Sequence, residues 1–292
     1  MYELIKITDK TYYIDCPAKI GIYRFSEKGV YLIDSGSDKE AGRRVRKILD
    51  EQGWQLAAII NTHSNADHIG GNRYLQQQTG CKIFAKGIEA AFTRFPVLEP
   101  SFLYGGFPCK ELRHKFLMAE KSEAEDISHP DFPRELEVIP LPGHFFDMIG
   151  VRTPDNVVFL ADCISSPTTI QKYKITFIYD VAEYLKTLDN IEKLQGDFFV
   201  PAHAEASADI KKIVNINREA VTEISGFILK KLAAPQTYEE LLKTAFDEYG
   251  LTMNFEQYVL VGSTLRSYLS YLSDSGELTA EFSENRLLWR KK

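Results

Sequence analysis

The 292-residue sequence has no apolar run approaching the roughly 20 residues that a membrane-spanning helix needs. Its opening stretch, Met-Tyr-Glu-Leu-Ile-Lys-Ile-Thr, shows no basic segment followed by an apolar one, so no export signal is expected. Cysteine is scarce. Cys16, Cys81, Cys109 and Cys163 are scattered without Cys-x-x-Cys spacing, a pattern of reduced thiols rather than of a disulfide framework. An excess of positive charge is also missing: 35 Lys and Arg against 41 Asp and Glu leave a net charge of −6. That balance argues against nucleic acid or an anionic membrane as a general partner. Repeats and low-complexity segments are absent too. What remains is 44% hydrophobic and 26% charged, an ordinary globular composition. A cytoplasmic protein is expected, with one large domain or one domain plus a small appendage.

Strand and helix signals alternate along the first third. Tyr2 to Ile7, Thr11 to Ile14, Ile20 to Phe25 and Val30 to Ile33 read as short strands. Ser37 with Glu40 suggests a helix start, and Ala41, Val45, Ile48 and Leu49 form its apolar stripe. Leu56 to Ile60 reads as a strand, followed by a helix through Tyr74 and Leu75 that stops near Gly80. Residues 87–134 break the rhythm with six aromatic residues between Phe92 and Phe116, and read as an insertion of short helices and loops. Strand signals return at Leu136 to Ile139, Ile149 to Arg152, Val157 to Leu160 and Phe198 to Val200. Asp180 with Glu183 caps an intervening helix, and a long helix follows the last strand. The Ala233-Ala234-Pro235 segment marks a boundary between residues 1–232 and 233–292. Two capped helices and a hairpin around Ser283-Glu284-Asn285 then give a winged-helix-like order. Charges in this last unit nearly cancel, which fits packing or homo-oligomer formation better than DNA binding.

Chemistry concentrates at residues 62–71, Thr-His-Ser-Asn-Ala-Asp-His-Ile-Gly-Gly, directly after the strand Leu56 to Ile60. His63, Asp67 and His68 are potential metal ligands, since imidazole nitrogen and carboxylate oxygen both suit Zn²⁺ at about 2 Å. Three further candidates sit where apolar strands run out into turns: His144 in Leu-Pro-Gly-His, Asp162 in Phe-Leu-Ala-Asp, and His203 in Val-Pro-Ala-His. Strand ends of layered folds are where sites gather. His114 and His129 have no such context and read as non-ligands.

These residues, in this order, resemble the metallo-β-lactamase superfamily over about residues 1–230. The resemblance implies an α/β fold, a four-layer αββα sandwich, here with a small C-terminal winged-helix-like α+β unit. The family motif is His-x-His-x-Asp-His, and Asn65 stands where its second histidine belongs. By resemblance, one metal site takes His63, His144 and position 65. The other takes Asp67, His68 and His203, with Asp162 bridging. Asp34, in Leu-Ile-Asp-Ser-Gly, matches a family strand-end motif and is read as supporting the ligands. An amide oxygen is a weaker donor to Zn²⁺ than imidazole and relatively better suited to harder cations. One or two ions in unequal sites are therefore expected, Zn²⁺ first, with Mn²⁺ or Fe²⁺ as alternatives.

The chemistry implied is metal-assisted hydrolysis, with Asp67 ligating and orienting the attacking water or taking its proton. Phe145 and Phe146 follow the Gly-His pair and are candidates for a substrate pocket; packing in the core is the competing reading. With the aromatic insertion, they point to a small, partly apolar ester, thioester or lactone, with glyoxalase II-like thioesterase activity as the leading substrate expectation. Two alternatives stand beside it: a nuclease of the same superfamily, which the acidic balance opposes, and a non-catalytic metal-binding interaction or regulatory module.

Overall fold

A computed structural model describes residues 2–292. Seven strands form the first sheet, in sequence order: β1 Glu3–Lys6, β2 Thr11–Asp15, β3 Ile20–Arg24, β4 Gly29–Ile33, β5 Gln55–Ile60, β6 Lys82–Ala85 and β7 Glu125–Asp126. The first four pair antiparallel through short turns. From β4 onward the pairing is parallel, because helices now carry the chain back across the sheet. Those helices include α1 Lys39–Gln52 and α3 Asn72–Thr79. A one-turn helix, α2 Ala66–Ile69, lies between β5 and α3. The second sheet is β8 Glu137–Pro140, β9 Ile149–Arg152, β10 Val157–Ala161 and β11 Phe198–Pro201, in spatial order β11-β10-β9-β8.

Period-2 patterning explains why the two sheets face each other. In β3, Ile20 and Ile22 point to the layer shared with α1 and α3, beside Val45, Leu49 and Leu75. Tyr23 points the other way, into a cluster with Ile60, Phe84, Ile149, Val151, Phe159 and Val200 drawn from both sheets. The outer face of the second sheet is covered by helices α7 Val181–Lys193 and α8 Lys211–Lys231. The architecture is thus the expected αββα sandwich.

Local signals were mostly placed correctly, with small shifts. The N-cap of α1 is Asp38, whose carboxylate accepts from Ala41 N, and not Ser37. Helix α7 is capped by Asp180, whose carboxylate accepts from Glu183 N, and stops at Lys193. Residues 87–134 hold α4 Ile88–Arg94, α5 Leu98–Tyr104 and a 3₁₀ turn at Lys110–Leu112, ending in β7. Elements without a clear sequence signal are α2, β7, which lies in the segment read as short helices and loops, α6 Pro167–Tyr173 and the two-residue strand β12 Gln236–Thr237.

The C-terminal residues form α9 Tyr238–Tyr249, α10 Phe255–Asp274, β13 Leu278–Ser283 and β14 Arg286–Lys291. Strand β12 joins the hairpin in a small sheet of order β12-β14-β13. Thr237 and Glu240 make the expected reciprocal capping box. Helix α10 is not a free appendage. Leu265, Tyr268, Leu269 and Leu272 share one buried cluster with Leu141, Phe145 and Ile178. Ser267 Oγ donates to the Tyr179 carbonyl at 2.6 Å, and Ile178 N donates to Thr264 Oγ1 at 3.3 Å. His114 Nε2 lies 3.1 Å from Glu256, tying the insertion to the same helix. All four cysteines are free, and among the described residues no helix is long and apolar enough to cross a membrane.

Candidate metal centre

The C-terminal ends of β5, β10 and β11 and the turn after β8 meet at one edge of the sandwich. Thr62 N and Oγ1 donate to Asp34 at 2.8 and 2.7 Å, and Ser35 N donates to the His68 carbonyl at 2.8 Å. The motif turn is thereby stitched to the turn that follows β4. Gly70 lies so close to the Ser37 backbone that any Cβ there would collide with it. Gly143 has φ +121°, and a side chain on it would run into the Tyr184 backbone at the start of α7. Asp34 and Ala161, both flanking the site, adopt left-handed backbone at φ +66° and +50°. Non-glycine residues carry such strain only where the surroundings enforce it.

Two groups of ligand atoms result, each within a 4.8 Å span. One is Asp67, His68, Asp162 and His203; the other is His63, His144 and Asp162. His203 Nε2 lies 3.1 Å from Asp67 and 3.2 Å from Asp162. His68 Nε2 lies 3.1 Å from Asp162 Oδ1. Each histidine is oriented by its other nitrogen. His68 Nδ1 donates to Asp34 at 2.8 Å, His144 Nδ1 to the Phe177 carbonyl at 3.1 Å, and His203 Nδ1 to the Pro17 carbonyl at 2.9 Å. Thr62 Oγ1, which donates to Asp34, accepts from His63 Nδ1 at 3.1 Å. All four imidazoles therefore aim Nε2 inward, as metal-ligating histidines do.

The donor set fits a divalent cation. The buried atoms His63 Nε2, His68 Nε2 and Asp162 Oδ1 have no aligned hydrogen-bond partner, and such orphans are costly unless something binds them. Without a cation the two halves carry different protons. Burial, reinforced by His68, pushes the His63 imidazole well below its ordinary value, so it stays neutral. Burial and the positive charge of His68 also lower His144 on balance. Burial opposes charge on His68 and His203 too, but Asp162 and Asp67 outweigh it. His68 is driven well above its ordinary value and His203 up to about 10. Burial likewise works against the Asp67 and Asp162 carboxylates, and the facing histidines overcome it and hold both low.

Asn65 precedes α2 and lies at the His63–His144 side. Its Nδ2 donates to Glu99 at 2.8 Å, and its Oδ1 stands 3.2 Å from His144 Nε2. Phe145 is fully buried and packs against Phe92, Phe102, Phe146 and Phe177, with its ring 6.1 Å from that of His63. It is therefore part of the floor beneath the site rather than an open pocket wall. Phe146 is partly exposed and packs against Tyr179, ring centroids 4.0 Å apart and planes tilted by 31°. Lys115 of the insertion pairs with Asp38 at 2.9 Å.

Sequence reasoning missed two buried acids. Glu89 in α4 accepts from Ser64 N, Ser64 Oγ and Asp147 N at 3.0, 2.6 and 2.8 Å. Burial lifts its carboxyl from 4.5 to about 7, against those hydrogen bonds. Glu99 in α5 meets Asn65, and burial drives its carboxyl well above the ordinary range. A signal existed: Glu89, Phe92 and Thr93, like Glu99 and Leu103, fall at the three- and four-residue spacings of a buried helix face.

Curated relatives match only parts of the chain. Hydroxyacylglutathione hydrolase from Rhizobium meliloti is 28% identical over 148 residues, 48% of this chain and 49% of that protein. The protein of the same name from Cereibacter sphaeroides is 29% identical over 126 residues, 43% of this chain and 40% of its own. The chain thus spans about half or less of the length of these relatives. Some solved structures match along nearly the whole chain. A beta-lactamase domain protein from Burkholderia ambifaria superposes with a TM-score of 0.74 at 14% identity, covering 99% of this chain and 94% of that one. A metallo-beta-lactamase family protein from Thermus thermophilus gives 0.69 at 17% identity, covering 100% and 98%. At such identities the structures speak for the fold alone. The metallo-beta-lactamase superfamily model itself matches residues 14–203, a span that contains every residue of the candidate centre, and the chain belongs to that superfamily.

Proposed function

We propose that the protein is a metal-dependent hydrolase of a small thioester, ester or lactone. The observation that carries this reading is the convergence of four inward-aimed imidazoles on Asp67 and Asp162, with buried donor atoms left unpaired. His63, His144 and Asp162 would hold one ion, with Asn65 beside them; Asp67, His68, His203 and Asp162 would hold the other. A bound divalent cation supplies acidified water near neutral pH and polarises the carbonyl under attack. Asp67 keeps 43% of its side chain exposed at the mouth of the site, where its free oxygen can accept a hydrogen bond from the attacking water and hold it in line. Asp34 and the Phe177 and Pro17 carbonyls hold the imidazoles in register. Phe146 and Tyr179 offer a partly exposed aromatic edge beside His144 for an apolar part of the substrate.

Zinc is the first choice of ion, given the imidazole and carboxylate donors. The name shared by the curated relatives makes an S-acyl-glutathione thioester the first substrate to try. Residues 1–232 are read as the catalytic domain and 233–292 as a winged-helix-like unit for packing or self-association. The four free thiols suit a reducing cytoplasm. The test is a panel of S-acyl-glutathiones, aryl esters, lactones and single-stranded RNA, run with Zn-, Mn- and Fe-loaded protein. Thioester turnover that disappears on chelation is expected. RNA cleavage without thioester, ester or lactone turnover would favour a nuclease, and binding of metal without any turnover would favour a non-catalytic module.

A further inference from the structure

Asn65 marks the departure from the superfamily's motif, and its amide is not free to choose an orientation. Nδ2 donates to Glu99, so Oδ1 is left facing His144 Nε2 at 3.2 Å. His144 Nδ1 donates to the Phe177 carbonyl, so a neutral His144 presents a lone pair at Nε2. Two acceptors then face each other at hydrogen-bond distance, an arrangement that a shared cation relieves. Glu99 is 5% exposed, and Asn65 is the single side chain with which it hydrogen-bonds among the described residues. Glu89, its neighbour from the same insertion, accepts from three donors and fastens Ser64 to Asp147. Glu99 fastens nothing comparable, so tying the fold together does not explain the cost of burying it.

We propose that Glu99 is a positioning residue for the weaker half of the centre: by accepting from Asn65 Nδ2, it turns Oδ1 toward His63 and His144 and makes Asn65 an oxygen donor there. The proposal rests on the metal-dependent reading above. The carbonyl oxygen of a carboxyl accepts in either protonation state, so Glu99 can hold this orientation with or without its charge. The hydrogen bond also draws electron density toward Oδ1, which strengthens a poor donor. Helix α5 thus supports from behind an oxygen donor at the position of the superfamily's second histidine. The resulting set of two imidazoles, one carboxylate and one amide oxygen is harder than three imidazoles with the same carboxylate, and accepts Mn²⁺ or Fe²⁺ relatively more readily.

The test is a zinc and manganese titration of the 292-residue protein with a competing chelator, reading the affinity of the first and second equivalents separately. Glu99→Met removes the acceptor at similar volume. It is expected to weaken the second equivalent ten- to a hundredfold, the usual cost of losing a ligand's support, and to leave the first unchanged. Asn65→Ala should weaken the second equivalent at least as much, and adding Glu99→Met to it should change nothing further. Should Glu99→Met fail to fold, Glu99→Leu, which also lacks an acceptor, is read by the same comparison with the same loss expected, whereas Glu99→Gln keeps an acceptor for Asn65 Nδ2 and should stay within about threefold of the unsubstituted protein. For Glu99→Met or Glu99→Leu, an equal loss in both backgrounds, or none in the presence of Asn65, overturns the positioning role. Failure of the unsubstituted protein to bind any metal overturns the metal reading itself, and is seen before any variant is compared.

Discussion

The two halves of the centre share Asp162 but are built on different terms. Asp67, His68 and His203 bring a carboxylate and two imidazoles that are positively charged when no cation is present. His63 and His144 bring two imidazoles held neutral, beside an amide. The first half is rich in negative charge and must shed protons to bind a cation. The second is ready to bind without proton loss but offers weaker attraction. Likeness to a family's ligand pattern therefore does not imply likeness of affinity, because burial and neighbouring charge set each ligand's state separately.

The most damaging change is the one that removes what the halves share. Asp162→Ala is expected to drop bound metal below one equivalent and hydrolysis by roughly 10³-fold or more, well beyond the 10–100-fold affinity cost of losing a supporting residue. Metal analysis with thioester kinetics checks this. One full equivalent retained in Asp162→Ala would show the halves to be independent.

Asp34→Asn touches one half directly and the other only through Thr62. Asp34 accepts from His68 Nδ1, so its loss should weaken the His68–His203 half ten- to a hundredfold, and the His63–His144 half, reached through Thr62 Oγ1, by less. Separate affinities from a chelator competition decide it. Comparable weakening of both halves would mean that Asp34 acts through the backbone turns it ties together.

The protons separate the halves next. With His68 and His203 raised above neutrality, cation uptake by their half should release about two protons at pH 7, and its affinity should fall as pH drops below about 10. Uptake by His63 and His144 should release almost none near neutral pH. Calorimetry in buffers of different ionisation enthalpy measures both counts, and equal release from the two halves would erase the distinction.

A smaller effect is expected behind the motif. Glu89 has its carboxyl raised to about 7 in the fold, so the folded state holds its proton more tightly than the unfolded state. Its contribution to stability is fully present below about 4.5 and is lost as pH rises through 7. Glu89→Gln should flatten this dependence, a difference of about 3 kcal/mol across the window. Urea unfolding at pH 5 and pH 8 provides the check, with an unchanged slope counting against it.

The legible parts of the sequence were those whose signal is local. Strands β3 and β5, the Thr237–Glu240 capping box and the turn at Glu284-Asn285 declare themselves within a few residues. His144, Asp162 and His203 were visible because each follows an apolar strand. The spacing of Glu99 to Leu103 marks a helix face but not a role, because its partner lies 34 residues away and a lone acid in a short helix ordinarily faces solvent. The start of α1 lies at Asp38 rather than Ser37: either residue type can cap, and it is the Asp38 carboxylate that accepts from Ala41 N. Phe145 lay beyond local reading for a similar reason. An aromatic residue beside a ligand can line a pocket or fill the floor beneath it, and here four other phenylalanines close over it.

The inequality of the halves is tested most directly by titrating the unsubstituted protein and Asn65→His with zinc at pH 7.5 and reading two dissociation constants for each. The unsubstituted protein should show constants at least about tenfold apart, and Asn65→His should tighten the weaker one, since imidazole is the better donor to zinc. Two equal constants in the unsubstituted protein, with no tightening in Asn65→His, would contradict it.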